Sequence, residues 1–159
     1  MAKFLKYIKY ASAIFFLIYL GFARDYLFVN LNYQLSKTHY HSFEYHLPPV
    51  LSFLEGLDEW TLYYLKYVFT ALAIFLFFLA TFWAVHVFFG EKKYRRWVLY
   101  SYVIIILASG FIFLALYWFF GFDPTYLIVR KLLDFAESPI MAMVLIPLIV
   151  VHKKMNENK

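Results

Sequence analysis

Residues 68–89 form one apolar run in which the only ionisable side chain is His86. A helix needs about 20 consecutive apolar residues to cross a hydrocarbon core about 30 Å thick. This run meets that length, and residues 97–120 supply a second run with no charge at all. The chain is 64% hydrophobic and 25% aromatic over 159 residues, more apolar surface than a water-soluble domain of that size can hide. It therefore reads as an integral membrane protein. The fold class is all-α, because helices satisfy their backbone hydrogen bonds within the segment.

Other classes fall away quickly. No cysteine is present, which excludes disulfides, thiolate metal sites and a cysteine nucleophile. The formal charge of +5 comes from residues beside hydrophobic runs. No separate basic domain exists for nucleic acid to bind. The first apolar stretch has a basic start, but no small-x-small cleavage site precedes Arg24 and Asp25, so it is expected to stay as a span.

Taken in order, the pattern predicts a four-helix transmembrane bundle forming a single membrane domain, with helices over about 4–32, 58–89, 92–120 and 124–153. Asp58 is a candidate N-cap for the second helix, and Gly90 ends it. Trp60, Tyr63, Tyr64 and Tyr67 form an aromatic belt, with Lys66 placed to snorkel. Ser101, Ala108 and Ala115 recur every seven positions and predict a close-packing face on the third helix. Asp123 and Pro124 read as the N-cap and first position of the fourth helix. Pro139 and Pro147 lie inside that helix and predict kinks. The 33–57 connection is polar, then histidine-rich. Its Val-Leu-Ser-Phe-Leu-Glu-Gly stretch reads as a short interfacial amphipathic helix. Lys3, Lys6, Lys9, Lys92, Lys93, Arg95, Arg96, Lys153, Lys154 and Lys159 share one side. The positive-inside rule makes that side cytoplasmic, with both termini there and the 33–57 connection outward.

Polar residues concentrate on helices one and four. Arg130, Asp134 and Glu137 fall at i, i+4 and i+7, on one helical face. A rise of 1.5 Å per residue puts Arg24 roughly 22 Å above Lys9. Glu137 lies about 24 Å and Asp134 about 28 Å from Lys153. Arg24, Asp25, Asp134 and Glu137 thus share the outer third of the membrane, and Arg24 is expected to meet Asp134 or Glu137. Asn30, Asn32, Gln34 and Lys131 add polar groups at the same end and complete the candidate binding cluster. Asn30, Asn32 and Gln34 can cap or extend the first helix, or hydrogen-bond the outer end of the fourth. Three readings fit the cluster: a structural ion-pair network, an outward cavity for a ligand, headgroup or partner helix, and a catalytic carboxylate pair. No other residues complete a mechanism, so no catalytic residue is assigned. His39, His41, Glu44 and His46 have the chemistry of metal ligands, but their spacing matches no established pattern. Solvated interfacial histidines are the plainer reading.

Three stretches carry a resemblance: Arg-Asp-Tyr-Leu-Phe-Val-Asn-Leu-Asn-Tyr-Gln-Leu at 24–35, Leu-Pro-Pro-Val-Leu-Ser-Phe-Leu-Glu-Gly at 47–56, and Tyr-Leu-Ile-Val-Arg-Lys-Leu-Leu-Asp-Phe with the later Leu-Ile-Pro at 126–147. Together the chain resembles the small four-helix membrane proteins associated with bacterial exosortases. The resemblance implies a bacterial inner-membrane location beside an exosortase, a membrane cysteine transpeptidase that processes C-terminal sorting signals. A chain without cysteine is not that enzyme itself. The family pattern offers no established catalytic residues to carry over. The expected function is a non-enzymatic accessory docked on a larger membrane protein, surrounded by membrane lipids and needing no cofactor. The alternatives are a small membrane enzyme or lipid-binding protein using the outer carboxylates, and a subunit of a transport or secretion complex.

Overall fold

A computed structural model describes residues 2–40 and 46–157. Every regular element among them is helical: α1 (Ala2–Tyr40), a short 3-10 helix (Pro49–Leu54), α2 (Glu59–Phe89), α3 (Lys92–Phe120), α4 (Phe122–Ala136) and α5 (Ile140–Glu157). Three helices are long and apolar enough to cross a membrane, and the bent pair α4–α5 makes a fourth crossing if it is one span. The chain is a multi-pass membrane protein by this measure.

Helix ends follow local chemistry. The Asp58 side chain accepts from the Thr61 amide and caps α2. Gly90, at φ 71°, takes the left-handed conformation that closes α2 and donates its amide to the His86 carbonyl. The cap of α4 departs from expectation. The helix begins one residue before Asp123, after Gly121, which supplies a φ of 75° that a side chain would resist.

The first connection is shorter than the sequence reading placed it. α1 has 39 residues and runs on to Tyr40 rather than stopping near residue 32. At 1.5 Å per residue it is about 58 Å long, well beyond a hydrocarbon core of about 30 Å. What carries it past the core is a leucine cluster, Leu31, Leu35, Leu47, Leu51, Leu54 and Leu62. The 3-10 helix supplies two of these and leaves Val50 and Phe53 exposed, so it is amphipathic as expected but packs onto α1 and α2. Gln34 Nε2 donates to the Leu54 carbonyl at 3.5 Å and ties it down.

The fourth helix bends at Pro139 as expected, and the kink is sharp enough to divide it into α4 and α5. It breaks between Ala136 and Ile140 with a bend of 56°. Pro139 has no N–H for the Phe135 carbonyl four residues back. The Ser138 hydroxyl donates to that carbonyl instead, at 3.0 Å. Pro147 is accommodated within α5 without ending it.

α2 touches each of the other four helices, and α3 packs along α4. Tyr94, Val98, Tyr102 and Ser109 form the buried face of α3, and the Tyr102 hydroxyl meets that of Thr81 at 3.2 Å. The Ser101–Ala108–Ala115 stripe does not form the packing face: Ala108 and Ala115 are exposed. Large aromatic and β-branched residues outcompete it because they bury more apolar area against α2. Tyr10 stacks on Phe88, and Trp97 meets His152, so the start of α1, the 90–91 turn and the end of α5 share one end of the bundle. The leucine cluster and the Gly121 turn mark the other, called here the loop end.

Candidate functional site

Near the loop end the apolar interior gives way to ionic side chains. One cluster (Ala13, Leu17, Phe77, Ala80, Ala84, Ala142) fills the middle of the bundle, and the leucine cluster fills the loop end. Between them α1, α2 and α4 turn ionic side chains inward.

Arg24 is the hub. Its Nη2 lies 2.7 Å from Asp134 Oδ1 and 3.1 Å from Glu137 Oε1, and its Nη1 lies 2.8 Å from Asp25 Oδ1. The sequence reading offered Asp134 or Glu137 as its partner, and Arg24 reaches both. Arg130 approaches from the other side, 2.7 Å from Glu137 Oε1 and 3.3 Å from Asp134 Oδ1. Its Nη1 donates to Thr70 Oγ1 at 2.7 Å, which fastens α4 to α2. The two guanidinium carbons lie 5.1 Å from the same Phe28 ring, so one aromatic faces both cations.

Burial divides the cluster. Glu137 is fully buried, and Arg24 and Arg130 are largely so. Asp134 keeps 44% of its side-chain surface exposed and Asp25 keeps 66%. The arginine contacts to Glu137 are ionic without hydrogen-bond alignment. Neither of its oxygens completes a hydrogen bond, and Arg24 Nε is likewise unpartnered. A buried carboxylate persists only when paired, and here two guanidinium groups supply the pairing.

The remaining expected members scatter. Lys131 is exposed and makes no ion pair with a described residue. Asn32 is exposed. Asn30 is buried and donates to the Tyr26 carbonyl one turn back in its own helix. Gln34 serves the 3-10 helix. His39 Nδ1 lies 2.8 Å from Glu59 Oε1, and His46 is exposed. His41 and Glu44 lie outside the described residues. Among the described residues no three metal-capable side chains come together.

Sequence reasoning missed three contributors. Thr70 and Lys66 sit four residues apart on α2, and Lys66 interacts electrostatically with Arg130, Asp134 and Glu137. Their i, i+4 spacing at the start of an apolar span was the available signal. Phe28, four residues after Arg24, was hidden among many aromatics.

An ion-paired lock between helices of membrane length defines the class: a polytopic α-helical membrane protein with an ionic centre close to one end. No family model, curated protein or solved structure matches this chain.

Proposed function

We propose that the chain is a non-enzymatic accessory of a bacterial inner membrane that docks beside a larger integral membrane protein, an exosortase by the resemblance above. In this reading α4 and α5 together make the fourth span, both termini are cytoplasmic and the loop end faces outward. The start of α1, the basic first turn of α3 and the end of α5 share one end of the bundle, which supports that orientation.

One observation carries the docking reading. Arg24 and Arg130 already have Asp134 and Glu137, yet α4 presents Lys131 outward in an apolar setting with Leu127 and Ile128 exposed beside it. A cation at this depth beyond internal need is costly unless a partner or headgroup meets it. Asn32 on α1 adds a second exposed polar group at the loop end.

The test is a photo-crosslinking residue at Leu127 or Ile128 in cells that also produce an exosortase. Capture of that exosortase, reduced by Lys131→Leu at unchanged expression and helicity, is the expected result. Absence of capture from both positions, with the chain inserted, overturns the reading. In the proposed orientation Lys37→Cys reacts with a membrane-impermeant thiol reagent in intact cells and Asn156→Cys does not.

A further inference from the structure

We propose that the cleft between α1 and the α4–α5 break binds a phospholipid with a primary-amine headgroup. The proposal is independent of the partner reading, which rests on the Leu127–Lys131 face of α4.

The cleft has a volume of about 370 Å³. Its α1 wall runs from Ile18 through Phe22 to Asp25, and its opposite wall runs from Met143 through Ile140 to Glu137. α1 climbs towards the loop end while α5 descends from it. Both walls therefore have the same polarity order: apolar towards the middle of the bilayer, ionic towards the loop end. That is the order of an amphiphile standing in the adjacent leaflet, with its chain against Ile18 and Met143 and its head at Asp25.

Charge selects the head. Among the residues that line the cleft, Arg24 is the cation and Asp25 and Glu137 are the two carboxylates. The surplus is negative, and its accessible member is Asp25. An anionic head placed there meets like charge in a poor solvent. A primary ammonium brings three N–H donors to the exposed Asp25 carboxylate, and the Glu137 carboxylate lies in the floor of the cleft behind it. The phosphate next to the ammonium has Arg24 as the cation of the same lining. A choline head keeps the charge but has no N–H to donate.

The experiment uses the full chain, purified and delipidated in mild detergent, and titrated with phosphatidylethanolamine, phosphatidylcholine or phosphatidylglycerol under native mass spectrometry. Phosphatidylethanolamine is expected to be retained roughly ten-fold over phosphatidylglycerol, the scale of one charge-assisted hydrogen bond, with phosphatidylcholine between. Asp25→Asn should remove that preference while the lipid-free protein keeps its melting temperature, because Arg24 retains Asp134 and Glu137. Met143→Trp should lower retention of all three lipids by filling the apolar end. Equal retention of the ethanolamine and glycerol lipids, or a preference that survives Asp25→Asn, overturns the proposal. So does a photo-crosslinker at Phe22 that joins a basic helix of another protein rather than lipid in cells.

Discussion

The Ser138 hydroxyl donates to the Phe135 carbonyl at 3.0 Å, at the break between α4 and α5 where Pro139 sits. A carbonyl released by proline in lipid has no water to turn to, so the preceding residue supplies the donor. Removing that donor with Ser138→Ala should cost about 1 kcal/mol in reversible detergent unfolding. Pro139→Ala should restore the missing N–H and reduce the 56° bend. Spin labels at Leu127 and Leu148 should then move apart, and an unchanged distance would assign the bend to packing instead.

Glu137 is the buried carboxylate on which both arginines converge. Glu137→Leu leaves two guanidinium groups with Asp134 as their shared anion, and the loss should be about 3 kcal/mol or more. Arg130→Leu combined with Glu137→Leu should be less damaging than Glu137→Leu alone, because the pair leaves together. Double-mutant analysis of unfolding in mixed detergent measures this. A strictly additive double variant would mean that the two residues act separately.

Much of this arrangement can be read from the chain, and the reasons differ by residue. Long apolar runs declare helices, because length and hydropathy alone decide whether a segment can span. The i, i+4, i+7 spacing of Arg130, Asp134 and Glu137 declares a shared face. Where α1 ends is not legible, because Leu31 and Leu35 hold the helix together through leucines more than ten positions away. The packing face of α3 is misread for a related reason. Small residues permit close approach, but Tyr94 and Tyr102 gain more by burial. Thr70 hides because a lone threonine in a span usually bonds within its own helix.

Gly21 lies where α1 passes Pro139, and a methyl group built on it sits 3.5 Å from the proline ring. That is ordinary van der Waals contact. Gly21→Ala should therefore be tolerated, and a gain of up to about 1 kcal/mol from helix propensity is available. Gly21→Leu has no such room on the proline side and should push α1 away from the break. A melting temperature that rises for alanine and falls for leucine is the expected pattern. Similar falls for both would show that the contact is tighter than this distance.

The Thr61 hydroxyl and amide hold the Asp58 carboxyl below its ordinary value of 3.8. A depressed carboxyl stabilises the fold above its unfolded-state value, and that contribution is lost as the pH falls through the folded-state value. Protection of the Thr61 amide from hydrogen exchange should hold at neutral pH and decline as acid protonates the cap. Asp58→Asn should keep much of the cap without the acid dependence. Identical acid profiles for the two proteins would remove Asp58 from the account.

The bond from Arg24 to Asp134 joins residues 110 positions apart. Synthesis at about 5 to 20 residues per second leaves Arg24 waiting on the order of ten seconds before that carboxylate exists. Of its three acidic partners, Asp25 alone is made in the next step of translation. The neighbour that looks redundant in the finished protein is thus the first counter-ion available to Arg24, and the lock closes only once α4 has been made.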